Sequence, residues 1–343
     1  MPKSYFFFPL LWGLLLFSAT VSLCIGAVSI SPTQLIGIVC KQLGFENVFA
    51  FEEQQEIVFM IIRLPRVCLG LLIGAGLSIA GAGLQGLFRN PLADPGLIGI
   101  SAGASLFAVM MIVLEIKLFQ KLTGMVGMYA LSIAAFIGAC LTTFLVYQIS
   151  KISGKAVITT MLLAGIAINA LSGAFTGLMT YLASDEQLRN ITFWGLGSLG
   201  GANWDMVAVA FPLIGLSVLL MPRLAKALNI LALGENQAIH LGIDLQILKR
   251  KIILLATLAV GTSVAMAGMI GFVGFVVPHI IRLWAGADHH KVLIGSAITG
   301  ASILTLADAI SRTIVAPAEL PIGILTAFLG TPVFLWILLK NKQ

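Results

Sequence analysis

Nine apolar runs, most of them near or above the ~20 residues a helix needs to cross a bilayer, occupy most of this chain. They are Tyr5–Ile30, Val67–Leu87, Leu97–Leu114, Val126–Ile149, Val157–Leu182, Met206–Met221, Ile252–Trp284, Val292–Ile310 and Ile322–Leu339. A chain so patterned must satisfy its backbone hydrogen bonds inside each segment, which in lipid means helices. Composition agrees: of 343 residues 59% are hydrophobic and 10% charged, against roughly 25% charged in soluble domains. The expected fold class is an all-α polytopic membrane protein, one transmembrane domain over residues 1–343.

The seventh run is too long for one crossing. As a continuous helix it would extend about 50 Å against a hydrocarbon core of about 30 Å. Lys249, Arg250 and Lys251 precede it, and Arg282 and Lys291 lie at its far end or beyond, so both ends look cytoplasmic. Gly268, Gly271 and Gly274 offer a place to turn, giving one full crossing and one short, broken one. The count is then about ten spans in one bundle. The first run exceeds the 7–15 apolar residues of a cleaved signal and reads as a retained span.

With both termini inside, most of the 20 basic residues face the cytoplasm: Lys3, Arg89, Lys151, Lys155, Arg223, Lys226, Lys249, Arg250, Lys251, Arg282, Lys291, Lys340 and Lys342. Lys41, Arg63, Arg66, Lys117, Lys121, Arg189 and Arg312 fall outside. That asymmetry sets the orientation of a chain surrounded by lipid. The 36 glycines crowd the spans, and the Gly70 and Gly74 pair reads as close helix packing within the bundle. Cys24, Cys40, Cys68 and Cys140 show no metal spacing.

An enzyme or an ion-coupled carrier would place ionisable residues at mid-depth. The mid-span polar residues here are Asn169 with scattered serines and threonines, so no catalytic group and no metal site is expected. There is no GxxxxGK[ST] loop to cradle nucleotide phosphates; Gly154-Lys155 lacks the rest of it. A transporter powered by a partner remains, or a membrane scaffold that only recruits one. The longest polar interval on the basic side, residues 222–251, contains apolar Leu231, Leu233, Ala238 and Leu241 beside polar Glu235 and His240. Gly234 and Gly242 punctuate it. This reads as two short helices meeting at a bend, a handle for a soluble protein.

Five ordered motifs resemble the permeases of ATP-driven type II importers for ferric siderophores, haem and vitamin B12. They are Arg63-Leu64-Pro65-Arg66 with Arg89-Asn90-Pro91-Leu92-Ala93-Asp94-Pro95-Gly96; Trp194 to Gly201; Leu233-Gly234-Glu235 with Leu241-Gly242; Gly271-Phe272-Val273-Gly274 with Pro278-His279 and Arg282; and Glu319-Leu320-Pro321-Ile322-Gly323. The resemblance implies ten helices per subunit and a homodimer. It implies two copies of a separate ABC ATPase on the cytoplasmic face, where ATP and Mg are used, and a periplasmic or lipid-anchored substrate-binding protein outside. No cofactor and no nucleic acid is implied for this chain.

Carried over residue by residue, Leu231, Leu233, Gly234, Glu235, Ala238, His240, Leu241 and Gly242 would couple to the ATPase. Arg63, Arg66 and Arg312 would face carboxylates of the binding protein, since guanidinium meets carboxylate bidentately. Anchoring to lipid phosphate or pairing with Asp308 is the competing role, and Arg66 suits a structural one equally well. Thr159, Thr160, Met161 and Asn169 would line or gate the pathway, or simply pack. Asn90, Pro91, Asp94 and Pro95 would fix the turn after the second span, and Pro278, His279 and Arg282 would break and end the short eighth span. The stretch 185–195 with 86–91 looks most like the haem-importing branch, with vitamin B12 and ferric siderophores as alternatives.

Overall fold

Long apolar runs close their hydrogen bonds within themselves, and in this chain they do so as helices. The computed structural model describes residues 6–45, 48–114 and 129–340; Lys3, Lys117, Lys121 and Lys342 lie outside these residues. In chain order the helices are α1 (Phe7–Cys24), α2 (Pro32–Gln42), α3 (Glu53–Phe88), α4 (Ile100–Leu114), α5 (Ala130–Ile149), α6 (Ile158–Tyr181) and α7 (Asp185–Leu196). They continue with α8 (Trp204–Leu220), α9 (Ala225–Ala232), α10 (Glu235–His240), α11 (Leu245–Ala267), α12 (Val273–Ala285), α13 (His289–Ser311) and α14 (Ile322–Lys340). A hairpin of β1 (Lys151–Ile152) and β2 (Lys155–Ala156), paired Lys151 to Ala156, joins α5 to α6.

Among the described residues seven helices are long and apolar enough to cross a membrane: α1, α3, α5, α6, α8 running on through α9, α11 and α13. Three shorter apolar ones, α4, α12 and α14, bring the spans to ten, so this is a multi-pass membrane protein. The predicted break in the seventh run is present. Gly268 ends α11 at φ +71 and Phe272 precedes α12 at φ +66.

The chain departs from expectation at two places. α11 begins at Leu245, because Asp244 caps it, its Oδ1 accepting from the Gln246 and Ile247 amides at 2.9 and 3.0 Å. Lys249, Arg250 and Lys251 are therefore inside that helix rather than before it. Pro278 and His279 do not break the eighth span, since α12 runs through both. The bond lost at Pro278 is the one to the Gly274 carbonyl; one residue on, the Gln85 amide Nε2 donates to the Phe275 carbonyl at 3.1 Å. The expected turn is present, and its Pro95–Ile98 part folds inward. Asn169 Nδ2 reaches the Gly96 carbonyl at 2.9 Å, and Gly165 of α6 abuts the Leu97 carbonyl. α4 and α12, at 15 and 13 residues, are about 20 Å long and span only part of the hydrocarbon.

α3 is the axis of the bundle, packing on α8, α11, α12 and α13. Small residues make this possible: Gly74 lies against Gly300 of α13, and Gly81 against the Gly274 carbonyl of α12, where a Cβ would collide with backbone. The close packing read from the Gly70 and Gly74 pair thus falls within the bundle. Span polarity sorts charge between its two ends. Arg89, Lys151, Lys155, Arg223, Lys226, Arg250, Lys251 and Lys291 lie at one, the basic end; Glu52, Glu53, Asp185, Glu186, Asp205 and Glu319 lie at the other, the acidic end.

Candidate functional site

At the basic end the interval after α8 is mostly ordered helix. The 3-10 turn Met221–Leu224 leads into α9, and Gly234, at φ +130, makes the bend into α10, a conformation that favours glycine. Leu228 and Leu231 root α9 in the core, and Ala238 roots α10. Leu231 and Ala238 are fully buried: they anchor the corner from within, because a helix this short has one inward face. What the corner presents outward is Leu233, Ile239 and Leu241, at 68%, 58% and 61% exposure. Ile239 was missed in the sequence; His240 and Gly242 are exposed beside it, and Gly234 and Glu235 are half-buried.

A buried lysine holds this knuckle. Lys249 Nζ lies 3.2 Å from Glu235 Oε1 at the start of α10 and donates to the Ala156 carbonyl at 3.1 Å. Gln246 Oε1 accepts from the Ala156 amide at 2.9 Å. One turn of α11 therefore grips both α10 and the hairpin that leads into α6. Thr159 lines a cavity of about 1040 Å³ between these elements, together with Arg89, Lys155 and Ile239. Thr160 is half-buried beside it. Met161 belongs to the core at 1% exposure, which removes it from any pathway lining, and Asn169 is engaged with the Gly96 turn.

The turn residues do what their types suggest. Arg89 takes the left-handed conformation at φ 50 that ends α3. Asn90 Oδ1 accepts from the Leu92 amide at 2.9 Å, and Asp94 Oδ1 from Gly96 at 2.7 Å ahead of Pro95. Arg282 donates to Gln85 Oε1 at 2.5 Å, tying α12 to α3. His279 is buried, with neither ring nitrogen bonded.

At the acidic end the three arginines have internal partners. Arg63 Nη1 donates to the Leu23 and Cys24 carbonyls at 2.8 and 3.0 Å, and Nη2 to Val28, closing the end of α1. Arg66 makes a bidentate pair with Asp308 of α13, at 2.8 to 3.1 Å, and a second with Glu319, at 2.8 and 3.0 Å. Arg312 bonds Ser22 through its carbonyl and Oγ and lies 3.7 Å from Asp308. These guanidinium groups serve helix ends, the buried Asp308 carboxylate and Glu319, the competing role read from the sequence. The Arg66 hydrogen bond holds the Glu319 carboxyl below its usual range. Glu319, a partner not identified in the sequence, is the exposed edge of this network.

A sequence profile of the FecCD transport family matches residues 14–340. The chain belongs to the FecCD transport family. Among relatives, the hemin transport system permease protein HmuU of Yersinia pestis is 44% identical over 83% of this chain and 84% of its own. The vitamin B12 import system permease protein BtuC of Citrobacter koseri is 36% identical over 96% and 93%. A metal-chelate type ABC transporter solved in an inward-facing conformation superposes with TM-score 0.83 at 31% identity, covering 97% of this chain and 99% of its own. The family resemblance read from the motifs therefore holds, and this FecCD fold carries its knuckle at the basic end and its carboxylate–arginine network at the acidic end.

Proposed function

We propose that this chain is the permease subunit of a binding-protein-dependent ABC importer, moving haem or a related iron chelate. The observation that carries the reading is the knuckle. A membrane protein with no phosphate-binding loop nonetheless holds Leu233, Ile239 and Leu241 outward on a corner fixed by the Lys249–Glu235 pair. Exposed apolar groups ringed by polar ones are the anatomy of a protein–protein contact, here with a soluble ABC ATPase that spends ATP with Mg. The basic end then faces the cytoplasm of a bacterial inner-membrane cell, with both termini inside. The acidic end receives the binding protein. α6, whose apolar window is 22% buried, presents Leu163, Ile166, Phe175 and Leu178 to a second copy across the pathway.

Haem is the favoured cargo because the relative at 44% identity is a hemin permease; vitamin B12 is the alternative, since a relative at 36% is a B12 permease. In proteoliposomes holding this chain, its ATPase and its binding protein, hemin uptake is expected to require ATP. Uptake driven by an ion gradient alone would overturn the reading, and ATPase recruitment without uptake of hemin, cobalamin or a ferric siderophore would make the chain a scaffold.

A further inference from the structure

α9 packs on a transmembrane helix, and one side chain hydrogen-bonds it to that helix's first turn. Asn229, half-buried on the helix just before the knuckle, accepts with Oδ1 from the His289 backbone amide at 2.9 Å and pairs with His289 Nδ1 at 2.8 Å. Its Nδ2 donates to Asp288 Oδ1 at 2.8 Å. Asp288 is the N-cap of α13 and also accepts from the His290 amide at 3.1 Å. The first amides of a helix have no partner within it; here one is satisfied by the helix's own cap and another by α9.

The helix so capped is the most buried span, 78% of its apolar window being inside the protein. It packs along α3 with Gly300 against Gly74. Its far end carries Asp308, held by Arg66, whose second pair is Glu319 at the acidic surface. α13 is thus a stiff rod about 34 Å long, fastened at one end beside the knuckle and at the other to the network under the acidic face.

We infer that Asn229 is a positioning residue through which movement at the knuckle and binding at the acidic face are made one event, with α13 as the connecting rod. This rests on the permease reading above. It goes beyond that reading by assigning the transmission to a single amide rather than to the exposed knuckle. Interfaces that switch do so between discrete arrangements; a joint made of one carboxamide with a fixed donor and a fixed acceptor moves α9 and the start of α13 together or not at all.

The test uses the reconstituted complex with its ATPase and binding protein, reading ATP hydrolysis with and without the binding protein, and hemin uptake per ATP. Asn229→Asp keeps an acceptor for the His289 amide, loses the donor and sets a second carboxylate against Asp288. The expected result is an assembled complex whose hydrolysis no longer responds to the binding protein, with ATP consumed per hemin raised roughly two- to thirtyfold, the range of measured coupling effects. Exchanging the pair, Asn229→Asp with Asp288→Asn, restores one donor and one acceptor and keeps a competent cap, and the wild-type response is expected to return. A merely structural role would lower the amount of assembled complex while leaving its response intact. Wild-type response and wild-type ATP per hemin in assembled Asn229→Asp complex would overturn the inference. So would an exchanged pair no better than the single variant. A wild-type complex that never responds to ATP or binding protein would instead sink the permease reading, and it shows in the control arm before any variant is compared.

Discussion

Replacing Arg66 by leucine removes the cation at the centre of the acidic-end network. Asp308 is 2% exposed, and three of its contacts with Arg66 lie between 2.8 and 3.1 Å. Taking one partner from a buried ion pair costs about 3–5 kcal/mol, because the remaining charge keeps its desolvation without compensation. Arg312 stays 3.7 Å from Asp308 and offsets part of that, so the lower limit applies, about 3 kcal/mol. The Glu319 pair adds little, since its carboxylate is 44% exposed and such pairs contribute about 1 kcal/mol or less. Reversible unfolding in mixed micelles by titrated sodium dodecyl sulfate, followed by tryptophan fluorescence, measures the loss. Arg66→Leu with Asp308→Leu should recover most of it, as buried pairs exchanged for apolar groups of similar size often do. A single-variant loss below about 1 kcal/mol, the level of an exposed pair, or a double variant as unstable as the single, would refute this account of Arg66.

Leu233→Asp with Ile239→Asp should abolish association with the ATPase while leaving the unfolding midpoint near wild type, since both side chains point outward; pull-down against purified ATPase decides, and retained association would show that the motor binds elsewhere. Gly81→Ala drives a methyl into the Gly274 carbonyl and should cost about 1–3 kcal/mol as overpacking, whereas Gly173→Ala on α6, where nothing lies within 4 Å, should be near neutral; equal effects would contradict the α3–α12 contact. Glu319 has a lowered folded-state pKa, caused first by the Arg66 hydrogen bond. Its contribution is therefore fully present above its ordinary pKa of 4.5 and is lost as pH falls through the lowered folded value. Glu319→Gln should flatten that part of the stability profile measured between pH 3 and 6, and an unchanged profile would count against the pair.

Hydropathy made the spans legible, including the division at Gly268, because lipid leaves a chain few ways to satisfy its backbone. The helices it did not yield, α2 and α7, are amphipathic and lie between spans. Their starts were nevertheless written in the sequence: Ser31 and Gln34, and Ser184 and Gln187, form reciprocal capping boxes, with Pro32 opening α2. The arginines were legible only in part: pairing with Asp308 was one of two readings, but Glu319 was not named as a partner, since the carboxylates that meet Arg66 are 242 and 253 residues away. That Leu231 and Ala238 turn inward was not legible, because a pattern six or eight residues long does not fix which face is buried. Asn229 escaped notice since an asparagine in a polar interval looks solvated until its partners at 288 and 289 are brought to it.

Burial divides the spans by what they can do. α11 and α13 have 72% and 78% of their apolar windows inside the protein, whereas α1, α6 and α8 have 22%. With α3 and α12 packed on them, α11 and α13 form a body in which shifting one helix alone would open voids along glycine contacts such as Gly74 with Gly300. α6 is differently placed. It meets this body mainly through α4, α5 and the Pro95–Ile98 turn, and its basic end is reached through the hairpin that Lys249 and Gln246 hold. On the permease reading, force at the knuckle therefore has two outlets: through Asn229 into a rod that moves only with the core, and through Lys249 into the base of a loosely packed span. A difference in motion between those two outlets is what would open one end of a pathway while the other stays shut, and it requires no ionisable group at mid-depth.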